Sequence, residues 1–128
     1  MRSLLDTHAF LWFVTGDERL SGTAKETIEA RNAEVLLSIA SIWEIAIKVA
    51  LGRLPLPSPV RSFVPRQMKE NRIGLLPVAL DHAVEAGSLP HHHRDPFDRM
   101  LVVQSFMEEI PIISADPELD RYGVHRVW

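Results

Sequence analysis

The chain has 128 residues, of which 46% are apolar, and a net charge of −3. That is long enough for one packed core and too apolar for a disordered chain, so a single domain spanning residues 1–128 is expected. The absence of cysteine excludes a disulfide frame, a thiol nucleophile and a thiolate zinc site.

Ser3 to Leu5 reads as a short buried strand, followed by a helix from His8 to Val14 that ends at Gly16. Thr23 and Glu26 fit a capping box opening a second helix that runs to about Asn32. Glu34 to Leu37 reads as a second strand. Ser38 or Ser41 then caps a strongly apolar helix ending at Gly52, with Ile39, Ile42, Trp43, Ile45, Ile47 and Val49 expected to be buried. The proline-rich stretch Leu54 to Pro59 is a stiff connector. Ser58 is placed to cap a helix that begins at Pro59 and is split or made irregular by Pro65. A third strand is expected over Leu75 to Val78, a short helix from Asp81 to about Gly87, and a polar loop over His91 to Asp95. Asp95-Pro96 opens a helix through about Glu108. Pro111 to Ser114 and Val124 to Val127 are the last strands, with a helical turn over Pro117 to Asp120 between them. Strands alternating with helices predict a three-layer α/β/α fold around a mainly parallel sheet of about five strands. No run approaches the ~18 apolar residues of a membrane span, and no basic segment followed by an apolar core opens the chain. A cytoplasmic protein is expected.

Four acids stand where segments change direction. Asp6 ends the Leu4-Leu5 run, Glu44 is the single acid of the apolar stretch Ser38 to Leu51, Asp98 precedes Met100 to Val103, and Asp116 follows Ile112 to Ser114. A carboxylate at the end of a buried strand is costly to desolvate unless something positive meets it. In parallel sheets ligands bind beyond the carboxyl ends of the strands, where strand order reverses. If the first and fourth strands are neighbours, Asp6 and Asp116 share that crevice. Four carboxylates converging there suit a hard divalent cation such as Mg²⁺ or Mn²⁺. Such a cation polarises a phosphodiester and activates water without a protein nucleophile. Each acid also has a structural reading. Asp6, Asp95 and Asp116 are good helix caps. Glu44 fits a capping box with Ser41 and a helical ion pair with Lys48. His91, His92 and His93 lie too close together for one zinc site, and a solvated loop touching phosphate through Arg94 is expected. Trp12, Trp43 and Phe97 are expected in the core, and Trp128 in the core or an interface. Arg61, Arg66, Lys69 and Arg72 read as a solvated face able to steer a polyanion.

The segments Leu4-Leu5-Asp6-Thr7-His8-Ala9-Phe10-Leu11-Trp12, Ser41-Ile42-Trp43-Glu44-Ile45, His93-Arg94-Asp95-Pro96-Phe97-Asp98-Arg99-Met100 and Ser114-Ala115-Asp116 resemble, in order, the motifs of PIN-domain proteins. The nearest branch is that of the VapC-like toxin ribonucleases. The resemblance spans nearly the whole chain. It implies a compact PIN fold and a Mg²⁺- or Mn²⁺-dependent endoribonuclease using one or two ions, with Asp6, Glu44, Asp98 and Asp116 as the catalytic and metal-binding acids. Ser114 and Asp95 are implied as supporting residues, and Arg94 and Arg99 as RNA contacts. Thr7 receives no catalytic role. Expected partners are RNA, a cognate antitoxin and a second copy of the chain. The length leaves no room for an added RNA-binding domain. Two other classes compete with this reading: a PIN-fold protein-binding module without catalysis, and a metal-dependent phosphatase acting on small phosphoesters. The position two residues after Asp6 is His8, where aspartyl-nucleophile phosphatases typically carry a second aspartate.

Overall fold

The computed structural model describes all 128 residues. Five strands form one parallel sheet: β1 (Arg2–Leu5), β2 (Glu34–Ser38), β3 (Ile73–Leu76), β4 (Ile112–Ile113) and β5 (Arg126–Val127), in the order β3-β2-β1-β4-β5. The helices are α1 (Thr7–Thr15), α2 (Gly22–Glu29), α3 (Ile39–Ala50), α4 (Val60–Glu70), α5 (Leu80–Ser88) and α6 (Pro96–Glu108), with a 3₁₀ helix over Pro117–Tyr122. None is long and apolar enough to cross a membrane.

Alternation along the central strands builds two cores, because successive side chains point to opposite faces. Leu5, Leu37 and Ile113 face one way, packing with Phe10, Ile45, Phe63 and Val64 from α1, α3 and α4. Leu4, Leu36 and Ile112 face the other, packing with Leu101 and Val102 of α6 and with Leu119. Register aligns these rows: Leu4 lies opposite Leu36 and Ile112, and Leu5 opposite Leu37 and Ile113. The residues that follow, Asp6, Ser38 and Ser114, therefore emerge together at the carboxyl edge of the sheet. The strand order also reverses there: the chain moves outward from β1 through β2 to β3, then returns to β4 on the other side of β1.

Several local expectations are corrected. Ser21, not Thr23, caps α2 by accepting the Ala24 N–H. Ser38 caps α3, and Ser41 lies buried within the helix, so Glu44 belongs to no capping box. Pro59 itself holds the cap position of α4, without a side-chain cap, and Val60 is the first helical residue. α4 continues through Pro65, whose ring lies on the exposed side. β3 starts earlier than expected. Arg72, at a φ of 56°, turns the chain straight into it, and Pro77, which has no N–H to give, follows its last residue. Trp43 is 64% exposed and Ile39 40%, so α3 buries less of its apolar surface than its composition suggested. Trp12 and Phe97 are only partly buried. Trp128 is partly buried too and meets Trp12 with ring centroids 5.8 Å apart.

Candidate metal centre and active site

The carboxyl edge of the sheet is ringed by helix starts, and acids take part in three of them. Asp6 caps α1, its Oδ1 accepting the Ala9 N–H at 2.7 Å. Asp95 caps α6, accepting from Phe97 N at 2.8 Å and Asp98 N at 3.2 Å. Asp116 caps the 3₁₀ helix, accepting from Glu118 N at 2.9 Å. The capping readings are thus correct descriptions of these side chains. They leave oxygens free, because a carboxylate has about four lone-pair sites and a cap uses one or two.

Glu44 is buried in the second turn of α3. Thr7 Oγ1 donates to its Oε1 at 2.5 Å, and Lys48 Nζ, one turn further along the helix, donates to its Oε2 at 2.6 Å. Both oxygens are therefore held, which is how a carboxylate survives among isoleucines. Burial pushes the Asp6 carboxyl above its ordinary range, and the Ser114 hydroxyl and the Ala9 N–H restrain the rise. Asp98 is pushed up to about 7, first by burial and then by the charge of Asp95. His93 opposes the shift, and Asp6 and Glu44 add to it. The fields of Asp6 and Glu44 thus reach Asp98. Asp116 is brought beside it: His93 Nε2 lies 3.2 Å from Asp98 Oδ2 and 3.0 Å from Asp116 Oδ2. Donor atoms of His93, Asp98 and Asp116 all fall within 4.8 Å of one another. Ser114 Oγ is fully buried and accepts the Asp116 N–H at 3.1 Å. Ser114 therefore touches both the first and the last acid.

Four carboxylates with Asp95 beside them are faced by His93 and by one lysine already bound to Glu44, so acids outnumber basic groups in the cleft. The donors are oxygens, and burial raises the pKa of two of the acids, Asp6 and Asp98. A hard divalent ion fits that set, with Asp6, Glu44, Asp98 and Asp116 as the residues to hold it.

Other expected site residues fall differently. Arg94 is exposed beside the cleft. Arg99 is buried, and its guanidinium donates to the carbonyls of Ala86, Leu89, Pro90 and His93 at 2.8 to 3.4 Å. It anchors the loop before α6, and its guanidinium is engaged there rather than presented to the cleft as expected of an RNA contact. His93 is turned inward onto the acids, whereas His91 and His92 stay exposed, so the histidine run is not uniformly a solvated loop. Sequence reasoning passed over Thr7 as well. A hydroxyl residue directly after a capping aspartate carries no signal that it serves an acid 37 positions away.

The chain matches the PIN domain family over residues 3–124. Among curated proteins, Ribonuclease VapC16 of Mycobacterium tuberculosis is 51% identical over 55 residues, covering 43% of this chain. That match spans 37% of the relative's own length. Among solved structures, VapBC2 from Rickettsia felis bound to a DNA fragment from their promoter has a TM-score of 0.73 at 10% identity, covering 98% of this chain and 97% of that one. FitAB bound to an IR36 DNA fragment has a TM-score of 0.59 at 14% identity, covering 97% and 92% respectively. These two similarities extend the fold over nearly the whole chain.

Proposed function

The chain belongs to the PIN-domain family, and from that premise and its acidic cleft we propose that it is a divalent-metal-dependent endoribonuclease, the toxin of a toxin–antitoxin pair. One observation carries the reading. Asp6, Glu44, Asp98 and Asp116 come from four separate segments to the carboxyl edge of one sheet, where Asp98 is pushed up to about 7 by burial and by its acidic neighbours. The local identity to a protein named as a ribonuclease supports the substrate class.

Mg²⁺ or Mn²⁺, as one or two ions, supplies charge to the phosphodiester and lowers the pKa of water. The chain's own part is to hold and position. Asp6, Glu44, Asp98 and Asp116 bind and orient, and Thr7 fixes the rotamer of Glu44. Ser114 ties the Asp6 and Asp116 ends together, and Asp95 keeps the first turn of α6 closed. Arg94, exposed at the rim, meets substrate phosphate. Hydrolysis breaks the bond from phosphorus to the 3′-oxygen and leaves a 5′-phosphate and a 3′-hydroxyl. Residues 1–128 act as one PIN domain, working in the cytoplasm as a homodimer restrained by an antitoxin. Similarity to structures named as VapBC2 and FitAB supports the antitoxin part of the reading.

The test is cleavage of a mixed RNA pool by antitoxin-free protein with Mg²⁺, Mn²⁺ or chelator, beside Asp98→Asn. Fragments that need metal and vanish in the variant are expected. Folded protein that cuts equally well in chelator, or in the variant, would remove the acids from the mechanism.

A further inference from the structure

His93 sits among the acids in a way that fixes its chemistry. Its Nδ1 accepts the backbone N–H of Asp95 at 3.1 Å. A backbone amide can only donate. In the neutral ring the single proton must then be on Nε2, the atom placed 3.0 Å from Asp116 Oδ2 and 3.2 Å from Asp98 Oδ2. Nε2–H therefore donates to Asp116 Oδ2, with Asp98 Oδ2 in close electrostatic contact beside it. To serve as a metal ligand it would need its lone pair free, with the proton moved to Nδ1, head-on to the Asp95 N–H.

The backbone that carries the ring is tied from several sides. The His93 N–H donates to Tyr122 Oη at 2.8 Å, and the Tyr122 hydroxyl donates to the Pro90 carbonyl at 2.8 Å. Arg99 holds the carbonyls of Leu89 and Pro90, with a longer bond to that of His93. Tyr122 closes the 3₁₀ helix that Asp116 opens, so the loop that aims the ring is joined to the element carrying one of its targets. A buried guanidinium and a tyrosine hydroxyl spent on one loop constitute a built mount, not an incidental contact.

We infer that His93 is a positioning residue: its Nε2–H donates to Asp116 and lies against Asp98, holding the two carboxylates at the spacing of a divalent-ion site without itself ligating the ion. The inference rests on the metal-dependent reading above. It has a consequence for metal choice. Three mutually close donors, His93, Asp98 and Asp116, look like a mixed nitrogen and oxygen site suited to zinc. With His93 as a donor the site remains all-oxygen, which suits Mg²⁺ and Mn²⁺.

The experiment compares wild type, His93→Ala and His93→Gln in Mn²⁺ titration by electron paramagnetic resonance and Zn²⁺ titration by calorimetry, with thermal melts of each protein. Glutamine places an N–H₂ donor near the position of Nε2 and offers no imidazole lone pair. Partners that orient a ligand typically change metal affinity by about 10- to 100-fold. His93→Ala should weaken Mn²⁺ by about tenfold, His93→Gln should recover most of that loss, and Zn²⁺ should be no more affected than Mn²⁺. Mn²⁺ affinity unchanged in His93→Ala would overturn the role. So would a selective loss of Zn²⁺ in both variants, which would make His93 a ligand. If His93→Ala does not fold, His93→Gln alone decides: near-native Mn²⁺ binding supports the donor role and a large loss refutes it. A wild-type protein that binds no Mn²⁺ would instead overturn the metal-dependent reading, and this inference with it.

Discussion

Thr7 Oγ1 and Glu44 Oε1 lie 2.5 Å apart, joining the first residue of α1 to the second turn of α3. The bond crosses the carboxyl edge of the sheet and keeps a buried carboxylate aimed at the cleft. Replacing Thr7 by valine keeps shape and removes the donor. A hydrogen bond to a charged group contributes roughly 1.5–3 kcal/mol, and misplacing a reacting group by ~1 Å can cost about a hundredfold in rate. Thr7→Val should therefore lower both the melting temperature and kcat/KM, while Thr7→Ser keeps most of each. A Thr7→Val protein with wild-type turnover would mean that Glu44 does not depend on this bond.

The raised carboxyl of Asp98 sets a pH dependence for the metal-free protein. Its folded pKa of about 7 lies above the ordinary 3.8, so between these values the native state binds more protons than the unfolded chain. Stability then rises with pH only where the unfolded state binds more protons. Here the sign is the reverse. The fold should gain stability as pH falls from about 7 toward 4, and the Asp98 contribution should be flat above 7. Asp6, also raised by burial, acts in the same direction. Asp17, lowered to about 2, and Asp120, also lowered, contribute the opposite slope only in more acidic solution. Melting in chelator should thus be higher near about pH 5.5 than near about pH 8. Protons compete with the cation, so stabilisation by Mg²⁺ should be larger at the higher pH. Subtracting the slope measured for Asp98→Asn isolates this carboxyl. No difference between the two slopes would contradict the assignment.

Asp98→Asn has a further expected signature. At a pH above 7 the wild-type side chain is charged, partly buried and flanked by Asp95, with Asp6 and Glu44 adding to the repulsion. The amide removes that burial cost and repulsion and gives up the attraction of His93 together with a helix-start charge worth about 0.3–1 kcal/mol. The first effect is the larger, so the metal-free variant should melt above wild type while losing cleavage and the response to Mg²⁺. A variant that melts below wild type in chelator would show that Asp98 is well accommodated without a cation.

The position of the candidate site was legible because it follows from the chain path. Leu4-Leu5 and Ile112-Ile113 are apolar on both faces, as central parallel strands must be, and their pairing puts Asp6 and Asp116 at one crevice. What faces a residue across space was not legible. Trp43 belongs to an apolar helix, but apolarity does not say whether anything covers it, and it stands 64% exposed. Three adjacent histidines look alike in sequence. Only bonds from Asp95, Tyr122 and Arg99 select His93 as the one that turns inward. Arg99, beside the proposed metal-binding acid Asp98 and formally cationic, read as a phosphate contact, but four carbonyls surround its guanidinium.

That last correction leads to a decisive substitution. If Arg99 met RNA, Arg99→Met would weaken substrate binding and leave the fold alone. As an anchor it leaves the carbonyls of Ala86, Leu89, Pro90 and His93 without this donor, and buried groups stripped of a partner cost about 1–3 kcal/mol each unless water reaches them. These carbonyls sit near the surface, so the total should be far below the sum, on the order of 2–4 kcal/mol. Arg99→Lys has three donors on a flexible stem in place of a planar fork, and should recover only part of that. Both variants should also loosen the loop that aims His93 at Asp98 and Asp116. Metal affinity should then fall together with stability, while contacts made by exposed Arg94 are unaffected. Urea unfolding alongside Mn²⁺ titration separates the two roles. A drop in RNA affinity with unchanged unfolding would return Arg99 to the substrate surface.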